Sequence, residues 1–483
     1  MASVLTRRQA LGSLAAAAIP GGGRRNLVFI IADQHSGLAL GDNGHPIVRT
    51  PRLDALARQG VHFTHACCTG TTCAPSRASI QTGLHVPAHG VRENGVSMPD
   101  GRVTIFDILA RHGYKVNDVP RNSLYRLEPY RKWLAELGYT DATHPIIGSA
   151  RKARLIPTPY RYAVGRAGLE LEHSQDAFTV ASSVRFLEEN KDSRFCLWVH
   201  LFGAHDPWVM PAPYDTMYKP ADMPLPPYRA GEYASKPAQQ RRTWEETGAS
   251  KLSDDQIRLI LAHYYGMVSF TDMLVGRLLD KLSALKLDSD TAVVYMADHG
   301  DMMGQHRIFT KGFALYEPAM RIPLIIRAPG GLPSGARIDA GVSGADLLPT
   351  TLELLNLPAE RGVRGSSLVP LWRGEKDGKR DHVFACQGWE GYDRLAMWRT
   401  PDWKLTRYDK GGGELYDLRN DPHELNNLIG ESKYASIRQR LTRQMEEWDR
   451  GSPHAKLRFP SSMKADEMDR IKQAYSAWLK KKG

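Results

Sequence analysis

The stretch Asn26-Leu27-Val28-Phe29-Ile30-Ile31-Ala32-Asp33-Gln34-His35 is an almost unbroken apolar run that stops abruptly in polar residues. Continuous rather than alternating hydrophobicity marks a strand buried on both faces, the pattern of a mainly parallel sheet lying between helices. Polar groups at its carboxyl end stand where open α/β sheets place their ligands. The pattern returns in Arg194-Phe195-Cys196-Leu197-Trp198-Val199-His200-Leu201. It returns again in Thr291-Ala292-Val293-Val294-Tyr295-Met296-Ala297, which stops at Asp298-His299-Gly300. Arg321 to Ile326 reads as a further strand. Between the strands, Thr50 to Ala57 reads as a capped helix with Pro51 in its first turn. Ser253 to Leu285 carries apolar residues at helical spacing, and Ala345 to Leu357 reads as another helix. This alternation predicts a layered α/β domain over residues 26–370.

Past residue 370 the texture changes. Lys376-Asp377-Gly378-Lys379-Arg380 is a polar break, and short runs such as Arg394 to Arg399 and Trp403 to Tyr408 follow. They predict a smaller antiparallel subdomain over 371–483, closed by helices from Tyr434 to Trp448 and from Ala465 to Lys481. Residues 209–250, rich in Pro and Arg, are expected to form a surface insertion.

Of the 483 residues, 42% are hydrophobic and 24% charged, which excludes a disordered chain. No stretch approaches the roughly 20 apolar residues that cross a bilayer as a helix, so no transmembrane segment is expected. The 64 Lys+Arg against 53 Asp+Glu leave a net charge of +11. That favours anionic partners without choosing among them, and with no recognition motif for nucleic acid none is expected as a partner. Five scattered cysteines are too few for a disulfide scaffold. His62, His65, Cys67 and Cys68 fit no standard zinc spacing, and a strand would turn them to opposite faces. Thr6-Arg7-Arg8-Gln9-Ala10-Leu11, followed by an alanine-rich stretch to Pro20, resembles a twin-arginine-type export signal in residues 1–25. A periplasmic or secreted protein is expected.

Three features carry chemistry. Asp33-Gln34 and Asp298-His299 end two strands of one sheet, and oxygen-rich donors of this kind with one imidazole suit a divalent cation. The third is Thr72-Cys73-Ala74-Pro75-Ser76-Arg77-Ala78-Ser79-Ile80-Gln81-Thr82-Gly83, which places a cysteine at a loop-to-helix junction. A helix N-terminus favours negative charge on that side chain and on an anionic substrate.

The Cys-x-Pro-Ser-Arg string resembles the sulfatases, a family of the alkaline-phosphatase-like superfamily. Other pieces follow in the family's order: Thr50-Pro51-Arg52-Leu53-Asp54, Asp298-His299-Gly300, Lys311-Gly312, Tyr316-Glu317 and Arg321-Ile322-Pro323-Leu324. Glu414 to Glu424 resembles its closing hairpin. The resemblance implies a large mixed sheet flanked by helices and hydrolysis of sulfate esters, with a sulfated small molecule or polysaccharide as substrate. It implies that a formylglycine-generating enzyme oxidises Cys73 to formylglycine (3-oxoalanine). Asp33, Gln34, Cys73, Asp298 and His299 would hold the metal, Ca²⁺ first and Mn²⁺ or Mg²⁺ next. Arg77, His205 and Lys311 would join Cys73 as catalytic groups, with Asn94 and Arg121 contacting substrate.

The chain departs from the family in three places. Val119-Pro120-Arg121-Asn122-Ser123-Leu124 stands where sulfatases carry Gly-Lys-x-His, with Arg121 in place of the lysine. Gln34 replaces a second Asp, and His299 replaces an Asn. These departures are also seen in the phosphonate monoester hydrolases of the same superfamily, so phosphonate monoester or phosphodiester hydrolysis stays open as the alternative. A catalytically silent member that only binds a sulfated polymer is the other.

Overall fold

Three apolar runs form three adjacent parallel strands. The computed structural model describes residues 25–117, 132, 136, 154–156, 162–311, 313–375, 380–391, 393–452, 454 and 463–482. The export signal expected before Arg25, Arg121, Gly312 and the polar break at 376–379 lie outside the described residues. In chain order the strands are β1 (Asn26–Ala32), β2 (Val61–Cys67), β3 (Lys115–Val116), β4 (Arg154–Leu155), β5 (Ala163–Arg166), β6 (Phe195–Leu201) and β7 (Trp208–Met210). They continue with β8 (Thr291–Ala297), β9 (Leu324–Arg327), β10 (Ala336–Ser343), β11 (Val383–Gln387), β12 (Leu395–Arg399), β13 (Trp403–Tyr408) and β14 (Gly413–Asp417).

A seven-stranded sheet has the order β10-β2-β9-β8-β1-β6-β3. It is mixed because β9 runs antiparallel to β2 and β8 while the other pairs are parallel. Alternate residues of β1 serve opposite cores. Val28, Ile30 and Ala32 pack with Leu53, Leu56, Val180 and Leu274, whereas Leu27, Phe29 and Ile31 pack with Ile105, Leu109, Leu348 and Leu352. Burying each such large side chain contributes about 1.5–3 kcal/mol, which is why no polar residue stands between Asn26, at the start of the strand, and Asp33.

The expected helices form with small shifts of boundary: Pro51–Gln59, Asp254–Ala284, Leu347–Leu354, Ala435–Arg450 and Ala465–Lys482. Thr50 does not cap the first of these through its side chain. Asp272, from the long Asp254–Ala284 helix, accepts the N–H groups of Arg52 (3.1 Å) and Leu53 (2.8 Å) instead. A distant carboxylate has taken the place of the local hydroxyl, which sequence spacing could not reveal.

The C-terminal subdomain is a four-stranded antiparallel sheet, β11-β12-β13-β14. It grips the main domain at Glu317. Arg399 donates twice to that carboxylate at 3.0 Å, Lys404 lies 3.2 Å away, and the Glu317 N–H donates to Glu424. The 209–250 segment lies largely at the surface, as expected, but it is anchored inward. Glu232, Lys236 and Gln240 are buried, and the Lys236 ammonium donates to Tyr316 (2.9 Å) and Tyr416 (3.1 Å). Proline and arginine marked the exposed part of the segment, Arg229, Arg241 and Arg242 included; they did not reveal its buried anchors.

Candidate active site

Ala32 of β1 is paired with Ala297 of β8 and with Leu201 of β6, so three parallel strands end at one level. The residues that follow, Asp33, Asp298 and the loop carrying His205, therefore converge at the carboxyl edge of the sheet. The Cys73–Thr82 helix, entered after β2, brings Cys73 to the same edge as its first residue.

Asp33, Cys73, Asp298 and His299 form a buried cluster whose ligand atoms all lie within 4.8 Å of one another. Cys73 Sγ is 3.2 Å from His299 Nε2 and 3.8 Å from Asp33 Oδ1. His299 Nδ1 lies 2.9 Å from the Gly300 carbonyl, so the ring donates there and leaves Nε2 as a lone pair facing the cluster. Burial pushes this imidazole down, beyond what the Asp298 carboxylate restores, and keeps it neutral. Arg77 spans the two acids, with Nε 2.7 Å from Asp298 Oδ2 and Nη2 3.2 Å from Asp33 Oδ2. Burial alone would raise the Asp33 carboxyl, but the charges of His205, Lys311 and Arg77 hold it well below the usual carboxylate range.

Lys311 is the hub on the opposite side. Its Nζ lies 2.9 Å from Gln34 Oε1, 3.3 Å from Cys73 Sγ and 2.8 Å from His205 Nε2. Burial opposes its charge, yet Cys73, Asp33, Asp206 and Asp298 hold its pKa above the ordinary lysine value. His205 Nδ1 faces the Asp206 carbonyl. Burial and Lys311 lower the His205 pKa, while Asp206, Asp33 and the Cys73 sulfur together raise it further. Asn94 accepts the Ala74 N–H at 2.9 Å and lies with Nδ2 4.0 Å from Cys73 Sγ.

The sequence-derived residues thus come together, apart from Arg121, which lies outside the described residues. Two participants went unnoticed in the sequence. His200 Nδ1 lies 2.7 Å from Arg77 Nη1, and Asp301 Oδ2 accepts the Gln34 amide at 2.7 Å. Burial pushes the Asp301 carboxyl up to about 7, against the Met303 N–H and the Gln34 amide, which pull it down. An acidic residue three positions past Asp298 was the available signal. His62, His65, Cys67 and Cys68 do not form such a cluster among the described residues.

The sulfatase family model matches residues 25–357, more than half of the chain. The chain belongs to the sulfatase family. A second model, the C-terminal part of N-sulphoglucosamine sulphohydrolase, matches residues 304–451 of this sulfatase. The chain is 28% identical over 471 residues to an arylsulfatase of Clostridium perfringens, covering 88% of this chain and 95% of that protein. It is 27% identical over 437 residues to the uncharacterized sulfatase YidJ of Escherichia coli, covering 86% of each. A phosphonate monoester hydrolase of Agrobacterium radiobacter superposes with a TM-score of 0.79 at 26% identity, covering 88% of this chain and 95% of that one. The fold is therefore alkaline-phosphatase-like, and this sulfatase is a sulfuric ester hydrolase. No described helix is long and apolar enough to cross a membrane.

Proposed function

We propose that this sulfatase cleaves sulfate esters of a saccharide with a formylglycine made from Cys73 and a divalent cation. One observation carries the reading: the Cys73 side chain stands within 3.8 Å of Asp33, His299 and Lys311 at once. The donor set fits a cation. Arg77 occupies the Oδ2 atom of each carboxylate, Asp33 Oδ1 and His299 Nε2 face Cys73, and Gln34 supplies an amide oxygen. Two carboxylates, an amide and an imidazole suit Ca²⁺, Mn²⁺ or Mg²⁺, the imidazole tilting the site toward the softer of them.

The cation supplies charge neutralisation and a lowered pKa for a bound hydroxyl. A hydrated aldehyde supplies two hydroxyls on one carbon, one to attack sulfur and one to release sulfate afterwards. The chain's own groups do the rest. Lys311, a compact charge, donates to a sulfate oxygen that displaces His205 from its Nζ. His205, freed at Nε2, carries a proton to the departing alcohol oxygen. Arg77 holds Asp33 and Asp298 in place, and Asn94, beside Cys73, donates to the anion. Arg121 is assigned to the substrate side on sequence order alone.

The saccharide rests on the second family model, whose description names a sulphoglucosamine hydrolase, and on the chain's net charge of +11, which steers polyanions. The alternative reading, hydrolysis of phosphonate monoesters or phosphodiesters, is favoured by Gln34 and His299 and by the phosphonate hydrolase likeness at 26% identity. Export through residues 1–25, placing the enzyme in the periplasm or outside the cell, rests on the Arg7-Arg8 pair and the alanine-rich stretch. The functional division into residues 26–370 and 371–483 follows the two sheets.

Comparing turnover of nitrophenyl sulfate and nitrophenyl phenylphosphonate tests the activity. Sulfate turnover that is absent from enzyme with fully converted Cys73 would defeat the reading. Mass spectrometry of the Ala66 to Arg77 peptide tests the modification, and an unmodified thiol beside full activity would defeat that.

A further inference from the structure

A glutamine at a metal site has a problem that an aspartate does not. Rotated one way its amide presents oxygen to the cation, and rotated the other way it presents an NH₂ group, which repels it. Gln34 is held on three sides by two carboxyl groups, which only accept when ionised, and an ammonium, which only donates. Its Nε2 lies 2.7 Å from Asp301 Oδ2 and 3.2 Å from Asp206 Oδ1, and carboxylate oxygens accept. Its Oε1 lies 2.9 Å from the Lys311 ammonium, which only donates. All three contacts are satisfied by one rotamer of the amide and violated by the other.

Asp301 is itself fixed. It is fully buried, and its Oδ1 accepts the N–H groups of Met303 (2.7 Å) and Thr310 (3.2 Å). That commits Oδ2 to Gln34. The Gln34 backbone is fixed as well, in the left-handed region at φ 61, with its N–H on Asp298 Oδ1 at 3.2 Å and its carbonyl accepting from Tyr264 at 3.0 Å.

We propose that Asp301, seconded by Asp206, is a positioning residue that orients the Gln34 amide so that its oxygen faces the cation and Lys311. The proposal rests on the metal site described under Proposed function. It also explains why the chain can use glutamine where a carboxylate would be expected. A carboxylate at 34 would face two others, at 301 and 206, so the amide and the two acids are one arrangement.

The test is a charge exchange between positions 34 and 301. In Asp301→Asn the backbone N–H groups of Met303 and Thr310 retain the carbonyl oxygen, so the new NH₂ meets the Gln34 NH₂. Relief comes by turning Gln34 over, which points a donor at the cation and at Lys311. Gln34→Glu alone places like charges 2.7 Å apart. The double variant Gln34→Glu/Asp301→Asn restores a donor between the two side chains and an oxygen toward the metal, with only Asp206 still opposed. Each full-length enzyme, produced with the formylglycine-generating enzyme, is dialysed at pH 8 against buffered series of free Mn²⁺ or Ca²⁺, and retained metal is measured by elemental analysis.

Asp301→Asn and Gln34→Glu should each weaken retention 10–100-fold, the range for partners of metal ligands. The double variant should recover most of the loss, which a merely structural lesion at either position would not allow. Asp301→Asn retaining metal like the unaltered enzyme, or a double variant no better than the singles, overturns the role of Asp301. Unaltered enzyme that retains neither ion would overturn the metal site itself, a different and separately visible result.

Discussion

Cys73 Sγ and His299 Nε2 stand 3.2 Å apart although 226 positions separate them in the chain. One begins a helix and the other follows a strand, and the sheet edge is the place where both can meet. Burial at this edge strips water from every charge, so whatever is positioned there acts through a low dielectric. The proposed nucleophile made from Cys73 would consequently lie within reach of a cation held by His299 and the two acids.

Cys73→Ser tests the need for two hydroxyls. A serine hydroxyl attacks sulfur once and then leaves a sulfate ester without a second hydroxyl to expel it. Incubation with nitrophenyl sulfate should release no more than one equivalent of nitrophenol per enzyme, with steady turnover reduced on the order of 10⁵-fold or more, as for loss of other covalent nucleophiles. Steady turnover of Cys73→Ser near the level of the unaltered enzyme would contradict a formylglycine mechanism.

Metal removal should cost both activity and stability. A cation that binds the folded chain alone at 1,000 times its dissociation constant contributes about 4 kcal/mol. Chelation should therefore lower the denaturation midpoint as well as abolish turnover, and Mn²⁺ or Ca²⁺ should restore both. Unchanged stability after verified loss of the ion would argue that Asp33 and Asp298 are satisfied by Arg77 alone.

Glu390 gives the stability a pH dependence away from the metal. It is buried beside Arg92, Arg394 and His454, and the neighbouring Trp389 packs on Ala74 and Ala78 of the Cys73–Thr82 helix. Burial would raise its carboxyl, but Arg92 above all holds it down at about 2, against a free value of 4.5. A depressed folded value means that the unfolded chain binds the proton more tightly, so stability is complete above about pH 4.5 and is lost as pH falls toward 2. The full difference is about 3 kcal/mol. The stability curves of the unaltered enzyme and Glu390→Gln, followed by urea unfolding, should converge over that interval. Curves that stay parallel would show that Glu390 is not the group responsible.

The fold was legible because a strand buried on both faces cannot alternate, and Leu27 to Ala32, Phe195 to Leu201 and Ala292 to Ala297 do not. The core of the site was legible because polar residues end those strands and because the string from Cys73 to Gly83 is specific. What escaped notice is held together by long-range polar contacts. Asp272 capping a helix 220 positions away leaves no periodic trace, nor does Asp301 beneath Gln34 or Glu317 held by Arg399 and Glu424. Burial of Lys236 and Gln240 within a Pro- and Arg-rich segment was hidden for the same reason, since their partners, Tyr316, Tyr408, Tyr416 and the Phe313 carbonyl, lie far along the chain.

Lys404 tests whether the C-terminal subdomain is part of the catalytic unit. Its ammonium is buried between Glu317 and Glu424 at 3.2 and 2.8 Å, and removing one member of a buried ion cluster typically costs 3–5 kcal/mol. Lys404→Met should lose about that much in urea unfolding. Because Glu317 closes the segment that carries Lys311, the variant should also lower kcat for nitrophenyl sulfate at temperatures where it remains folded. A stability loss with unchanged kcat would separate the two roles.

His205 offers the sharpest test of chemistry, since proton delivery matters in proportion to the basicity of the departing oxygen. Nitrophenolate leaves readily without a proton, whereas a sugar alkoxide does not. His205→Ala should therefore lose about 10²–10⁴-fold in kcat/KM on an alkyl or saccharide sulfate and much less on nitrophenyl sulfate. Steady-state rates across a series of aryl and alkyl sulfates should steepen in their dependence on leaving-group pKa when His205 is removed. An equal loss across the series would assign His205 to holding Lys311, its 2.8 Å neighbour, and leave the proton to another group.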